Sequence, residues 1–501
     1  MAIMPIDLSL ERVSRLTSQL PSYSRPTIHI AGTNGKGSVT SILASILLAS
    51  GLTVGRFNSP HLVSVRDCIL INEQSVSSHD YSLARATVES ADRDHATGLS
   101  SFELLTLTAL QVFETFRVDV VVVEVGMGGR LDATNVIPDE CILLSALTAV
   151  DLDHQAFLGN TIALITKEKV GIARNKKPFV LGIQKHSVVE DVVRAAVDQV
   201  GGYFIATQVA LRRAWDETVD GPLPPTLSLD AESFSPPPPQ PVSFTSSAFP
   251  NGLSAILSLN GAHQVDNLSL ALTIISTLMT HPSCVSRMPE SFSERVMKNI
   301  HTGIRNATWR GRLSFHRLTL SSPISRGIVV LADGAHNPAS SETLASYIST
   351  VVTMLDNNPR VRILRLTYVL ALSHSPPKTP RETLSPLFIL RSGTQLSIQT
   401  KVAAVRFTPP EGMPWVTSVP PPEIAATVLE LDSDVRLWVA PDEGEIQGQL
   451  ESALKWAVTR EPDITGTEGE DGVQELVVVA GSLYLVADFY RLLAKRSESG
   501  R

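Results

Sequence analysis

The sequence predicts an α/β protein of two domains, each built on a mostly parallel sheet flanked by helices, and three observations carry that prediction. The chain has 501 residues, past the size at which a single hydrophobic core stops growing. Short β-branched runs alternate with longer amphipathic segments over 26–183, the pattern of strands joined by crossover helices. A second alternation begins after Gly311.

In the first half, strands are expected over 27–30, 118–125 and 142–148. The run Val120-Val121-Val122-Val123 lacks polar alternation, so its strand should be covered on both faces. Helices are expected over 39–49, 162–173 and 260–279. Between 216 and 250, proline, serine and acidic residues dominate, and Pro236-Pro237-Pro238-Pro239 supplies no backbone donors. That stretch reads as a loop or a flexible insertion. In the second half, strands are expected over 328–332, 366–372, 435–440 and 476–480, with a boundary near 309–313. The domains are therefore placed at 1–308 and 309–501, with surface loops at 373–379 and 461–472.

Composition narrows the function classes. With 43% hydrophobic and 18% charged residues, the chain has ample material for buried cores. A formal charge of -8 without a lysine or arginine block disfavours nucleic-acid backbones and anionic membranes as partners. Cys68, Cys141 and Cys284 show no CxxC spacing, which argues against a disulfide framework or a structural zinc and for a reducing compartment. The longest apolar strand-like run, 118–123, contains Asp119 and is too short to span a bilayer. Residues 1–20 carry Asp7 and Glu11 among spaced apolar residues and read as a mature helix rather than a signal peptide. A cytoplasmic protein is expected, with a mitochondrial pool left open.

Five segments carry chemistry. Gly32-Thr33-Asn34-Gly35-Lys36-Gly37-Ser38 follows a strand and opens a helix. Its glycines let successive N–H groups face one centre, the helix N-terminus adds positive potential, and Lys36 supplies a point charge for phosphate oxygens. The spacing is not GxxxxGK[ST], because Ile30 stands where the first glycine belongs and Gly37 separates Lys36 from Ser38. Glu124 leaves the strongest strand ahead of Gly126-Met127-Gly128-Gly129, where a carboxylate is placed to hold Mg²⁺, with a salt-bridged or capping glutamate as the plain alternative. His154, in Asp151-Leu152-Asp153-His154-Gln155, follows another strand and precedes the helix with Lys167, Glu168 and Lys169; a lone histidine is more often structural. An amine such as Lys169 on an apolar helix calls for modification or pairing. Ser59, in Asn58-Ser59-Pro60-His61, sits in an extended loop and can offer a hard oxygen ligand. Asp333-Gly334-Ala335-His336-Asn337-Pro338 can grip a ribose, a phosphate or a substrate, or serve only as turn chemistry.

Together these segments resemble the folylpolyglutamate synthase and dihydrofolate synthase family, itself related to the bacterial Mur ligases, in order along nearly the whole chain. The fungal dihydrofolate synthase branch is the nearest likeness, through Arg56-Phe57-Asn58-Ser59-Pro60-His61, Arg66-Asp67-Cys68, Glu411-Gly412-Met413-Pro414-Trp415 and Gly481-Ser482-Leu483-Tyr484-Leu485. The resemblance implies a Mur-ligase-like ATP- and pterin-binding domain with a P-loop-containing parallel sheet, and a smaller Rossmann-like glutamate ligase domain. It implies that Gly32, Thr33, Asn34, Gly35, Lys36, Gly37 and Ser38 hold ATP, with Asn267, Arg312, Asp333 and His336 as further nucleotide contacts. Ser59, Glu124 and His154 would ligate Mg²⁺, a monovalent cation such as K⁺ would be a second ion, and Lys169 would be carbamylated. Phe102, Glu103, Thr106, Leu131, Asp132 and Ala133 would line the dihydropteroate side. Lys36, Lys169 and His154 would be the catalytic set.

The implied activity is ATP-dependent ligation of L-glutamate to dihydropteroate through an acyl phosphate, by a monomer. Folylpolyglutamate synthesis from tetrahydrofolate is the near alternative, and a non-catalytic nucleotide-binding protein is the distant one. One departure concerns Trp309-Arg310-Gly311-Arg312, where relatives carry Trp-Pro-Gly-Arg.

Overall fold

A computed structural model of the chain describes residues 9–320, 327–374, 378–389, 395–411, 413, 415–441, 445–446, 448–459 and 472–499. The first eight residues of the expected N-terminal helix, 375–377 of the first expected loop, most of the 461–472 loop, and Gly412 and Pro414 lie outside the described residues. The chain divides into two compact units, one of 1–221, 240–259 and 263–308, the other of 222–239, 260–262 and 309–501. No helix of the described residues is long and apolar enough to cross a membrane.

The first unit is organised by an eight-stranded sheet. Its strands are β1 (Thr27–Ala31), β2 (Val54–Phe57), β3 (Ile69–Ile71), β4 (Gln74–Ser75), β5 (Val120–Glu124), β6 (Ile142–Leu147), β7 (Pro178–Leu181) and β8 (Tyr203–Ala206), in the order β4-β3-β2-β5-β1-β6-β7-β8. From β2 to β8 neighbouring strands are parallel, while β3 and β4 add an antiparallel edge. Every residue of β1, β5 and β6 is buried, as strands without polar alternation require when both faces are covered. Ile30 lies opposite Glu124 and Ala31 opposite Leu147, so the carboxyl ends of β2, β5, β1 and β6 fall side by side. Ligands of open α/β sheets bind at that edge.

The helix Lys36–Ala49, which continues from β1, is buried along most of its length. It lies against the helix Phe292–Asn306, where Ser41 Oγ donates to the Thr308 carbonyl at 2.6 Å and Ser45 Oγ to that of Gly303 at 2.7 Å. The approach depends on Gly303, whose missing Cβ would stand 2.5 Å from Ile46 Cα. Of the expected N-terminal helix, the described part forms a helix only over Glu11–Thr17.

The stretch 216–250 is not loop throughout. It carries a helical turn, Glu217–Asp220, capped by Asp216, and the strand β10 (Gln240–Phe244) between β9 (Leu211–Arg212) and β11 (Leu253–Leu257). The prolines lie between apolar anchors that the composition obscures. Leu227 and Leu229 are buried in the core of the second unit, and Phe234 stacks on Phe315 at 6.2 Å.

Among the described residues the second unit has six strands: β12 (Ser314–Thr319), β13 (Gly327–Ala332), β14 (Ile363–Leu370), β15 (Ser397–Ala404), β16 (Arg436–Val439) and β17 (Val473–Ala480), in the order β12-β13-β17-β14-β15-β16. Only β12 runs antiparallel to its neighbour. β12 and β15 escape sequence reading because each is half exposed and interrupted by polar residues. The two sheets make the chain the α/β protein of parallel sheets that its sequence predicts.

Substitution Gly303→Val should insert side-chain atoms against the Ile46 backbone and destabilise the first unit by about 1–3 kcal/mol. A lowered midpoint of its denaturant unfolding would register this, and an unchanged midpoint would mean the two helices separate without cost.

Candidate active site

The turn after β1 is shaped by two glycines and pinned to the turn after β6. Gly32 has φ +147°, and a Cβ there would overlap Thr148 Oγ1; Gly35 has φ +93°, and a Cβ there would overlap the Asn267 amide. Thr33 and Asn34 donate backbone N–H groups to the Ala149 carbonyl at 2.9 and 3.2 Å. Thr33 Oγ1 donates to the Asp151 carbonyl and accepts from the Asp151 N–H, each at 3.1 Å. Behind that second turn, Gln184 accepts from Val150 N–H and donates to the Thr148 and Gly182 carbonyls, all at 3.0 Å. The helix then opens at Lys36, and its first N–H groups have no partner within the helix, which makes this an anion-attracting end.

Two ammonium groups meet under the turn. Lys36 Nζ donates to the Gly32 and Thr33 carbonyls at 3.1 Å, and Lys169 Nζ donates to the same Gly32 carbonyl at 2.8 Å. Lys169 is 3% exposed. Burial first, and then the neighbouring Lys36 charge, pull its amine down to about 7, against the opposing attraction of Asp153 and Asp132. Lys36 also lies 3.7 Å from Glu124 Oε1, both side chains being largely buried.

Glu124 is held from its other oxygen. Asn58 Nδ2 donates to Glu124 Oε2 at 2.6 Å, and the Asn58 carbonyl oxygen accepts from Arg56 at 2.9 Å. Ser59 is half-buried beside a cis peptide bond to Pro60. His154 is exposed, adopts φ +49°, and opens the short helix Gln155–Leu158. The three thus sit on the segments leaving β2, β5 and β6. Among the described residues no group of three or more His, Cys, Asp or Glu is gathered. A donor set of one carboxylate, one hydroxyl and one imidazole fits a hard ion that keeps waters and takes phosphate oxygens, and does not fit a closed structural zinc.

On the helix Ser101–Thr115, Phe102 and Thr106 lie one turn apart. The Phe102 ring fills the space where a Cβ on Gly126 would stand, and Thr106 Oγ1 is buried without a hydrogen-bond partner. Glu103 instead spends its carboxylate on the Ser100 N–H at 2.7 Å and on Arg12 at 3.2 Å. Asp132 likewise accepts from Met127 N–H at 2.8 Å and from Thr134 N–H and Oγ1 at 3.0 and 2.6 Å. Those bonds make Asp132 the cap of the short helix Ala133–Val136, with Leu131 half-buried and Ala133 buried beside it.

Asn267, on the helix His263–Thr280, is brought onto the glycine turn through Gln264, which donates to Ser38 Oγ at 3.1 Å. Arg312, Asp333 and His336 belong to the second unit. There Asp333 is buried, accepts from Leu313 and Ala335 N–H groups at 2.8 Å, and is held above the usual carboxylate range by burial, with Arg312 opposing. Asn337 caps the helix Pro338–Asp356, and His336 is exposed with its Nδ1 2.9 Å from the Gly334 carbonyl. Arg56, Asn58, Gln184 and Gln264 were not singled out from the sequence. Asn58 stands next to Ser59, but nothing in its spacing reveals that β2 aims it at the end of β5.

A glycine turn opening a helix, with two lysines and a carboxylate beside the strand ends of an α/β sheet, is an arrangement suited to anions and to a cation that accompanies them. Residues 316–492 match the family described as "Dihydrofolate synthetase, C-terminal domain". The chain is 32% identical to the dihydrofolate synthetase of Saccharomyces cerevisiae over 98% of both proteins, and 31% identical to the probable dihydrofolate synthetase of Schizosaccharomyces pombe over 98% of this chain and 99% of that one. Among solved structures it is similar to Mycobacterium tuberculosis folylpolyglutamate synthase complexed with ADP, with 26% identity, a TM-score of 0.69, and coverage of 97% of this chain and 95% of that one. The chain belongs to the folylpolyglutamate synthase and dihydrofolate synthase family.

Proposed function

We propose that the chain is a dihydrofolate synthase, joining L-glutamate to 7,8-dihydropteroate with conversion of ATP to ADP and phosphate. The observation that carries this reading is the similarity to dihydrofolate synthetase along nearly its whole length. The chemistry of the site supports it. A carboxylate is a poor electrophile, so condensation with an amine requires that one of its oxygens first become a leaving group. Attack of the dihydropteroate carboxylate on the γ-phosphorus forms an acyl phosphate and releases ADP. The glutamate amine then attacks the acyl carbon, expels phosphate and loses a proton.

In this reading the N–H groups opening the helix Lys36–Ala49 and the Lys36 ammonium hold the phosphates, where developing charge is best stabilised by donors already in place. Asn267 stands at the same turn, and Arg312, Asp333 and His336 are retained as further nucleotide contacts. Mg²⁺ is taken as the divalent ion, ligated by Glu124, Ser59 and His154, where it would screen the phosphate oxygens. K⁺ is retained as a monovalent ion, and the working unit is taken as a monomer. Phe102, Thr106 and Gly126 offer an apolar wall with one unpaired hydroxyl to a pterin, while Glu103 and Asp132 shape that wall through their caps.

Lys169 is read as the carbamylated lysine. Its neutral amine attacks carbon dioxide and releases a proton, and burial makes that neutral form available near pH 7.

Purified protein given dihydropteroate, glutamate and MgATP should release ADP and form dihydrofolate, and should do so in preference to extending tetrahydrofolate. Lys36→Ala should lower kcat/KM about 10²-fold or more with the fold retained by circular dichroism. Release of ADP with tetrahydrofolate alone would transfer the reading to folylpolyglutamate synthesis, and no ADP release with either would end it.

With ¹³C-bicarbonate, a carbamate resonance absent from Lys169→Arg should grow as pH rises through about 7 and fade as it drops below, since only the neutral amine reacts. A protein without that resonance at pH 8 would remove the carbamate.

A further inference from the structure

We infer that Asn58 is a positioning residue that fixes the Glu124 carboxylate for a divalent ion, and that the Arg56–Glu73 ion pair sets the orientation of Asn58. The inference rests on Glu124 being a metal ligand and goes beyond that reading by assigning the residues that aim it.

The argument follows the bonds outward from the carboxylate. Glu124 and Asn58 are 6% and 4% exposed, so neither is oriented by bulk water. An asparagine amide has two faces of opposite hydrogen-bonding character, and its flip is set by whichever partner admits one face only. Arg56 can only donate. Its guanidinium donates to Asn58 Oδ1 at 2.9 Å, which turns Nδ2 toward the site. Nδ2 then donates to Glu124 Oε2 at 2.6 Å and to Thr40 Oγ1 at 2.7 Å. Thr40 in turn donates to the Gly37 carbonyl at 2.9 Å, which ties the same amide to the glycine turn. With Oε2 engaged, the carboxylate presents Oε1 on the Lys36 side.

Arg56 is itself 4% exposed, and a buried guanidinium needs a counter-charge. Glu73 provides it as a two-point pair, accepting at 2.8 and 2.7 Å. Glu73 sits in the tight turn between β3 and β4 at φ +64°, and β3 runs antiparallel to β2 across Arg56 and Leu70. The antiparallel edge of the sheet thereby acquires a purpose that packing alone does not require. It delivers an anion that neutralises Arg56 beside the Asn58 amide.

The test reads metal binding without turnover. Mn²⁺ is titrated into protein saturated with ADP, and the free-ion electron paramagnetic resonance signal reports the bound fraction. Asn58→Leu should weaken Mn²⁺ about 10–100-fold, the usual effect of removing a hydrogen bond to a ligating group. Glu73→Gln, at a half-buried position that leaves the core closed, should weaken it in the same direction. Turnover of Glu73→Gln at low Mg²⁺ should recover as Mg²⁺ is raised, with the KM for dihydropteroate unchanged. Glu124→Gln separates the two ideas. If Glu124→Gln binds Mn²⁺ normally, the metal reading fails. If Glu124→Gln loses the ion while Glu73→Gln and a folded Asn58→Leu both keep it, only the positioning role is overturned. Should Asn58→Leu not fold, Glu73→Gln alone decides, and normal Mn²⁺ affinity in that variant overturns the inference.

Discussion

The Gly32 carbonyl is the point on which the first unit turns. The Nζ atoms of two lysines converge on that one oxygen, and a buried carboxylate faces the Lys36 ammonium at 3.7 Å. Charges removed from water are tolerated only when partners compensate them. Here the partners come from different segments: Lys36 from the helix after β1, Lys169 from the helix Ile162–Val170, and Glu124 from the end of β5. The arrangement therefore exists only when the strands are in register. A shift of β5 by one residue against β1 would turn Glu124 to the opposite face of the sheet.

That constraint also accounts for the unequal distribution of polar groups. The strand interiors of β1, β5 and β6 are almost wholly apolar, with His29 as an exception. His29 is buried, its pKa pushed down to about 3 mainly by burial, and its ring nitrogen lies 2.8 Å from Thr134 Oγ1. Thr134 passes the contact to Asp132, which caps the short helix Ala133–Val136. The second unit repeats the principle with Asp333, which ties its own turn at Ala335 to the backbone of Leu313 ahead of β12, while Arg312 opposes the effect of its burial.

Much of this was readable in advance. Val120-Val121-Val122-Val123 announces a strand covered on both faces, and β5 lies inside the sheet between β2 and β1. The glycine turn is legible because glycine tolerates the positive φ found at Gly32 and Gly35. Composition hides the anchors at 216–250, where Leu227, Leu229 and Phe234 act singly among prolines and leave no periodic signal.

By itself the sequence determined the class of fold, the glycine turn opening a helix and the carboxylate at the end of β5, because each depends on local backbone freedom or on burial along one strand. Only the tertiary structure decided which groups support them. Asn58 reaches Glu124 across 66 residues of chain, Lys169 reaches Gly32 across 137, and Gln264 reaches Ser38 across 226. Such contacts follow from the order in which parallel strands lie beside one another, and hydrogen-bond direction between distant side chains leaves no pattern along the sequence.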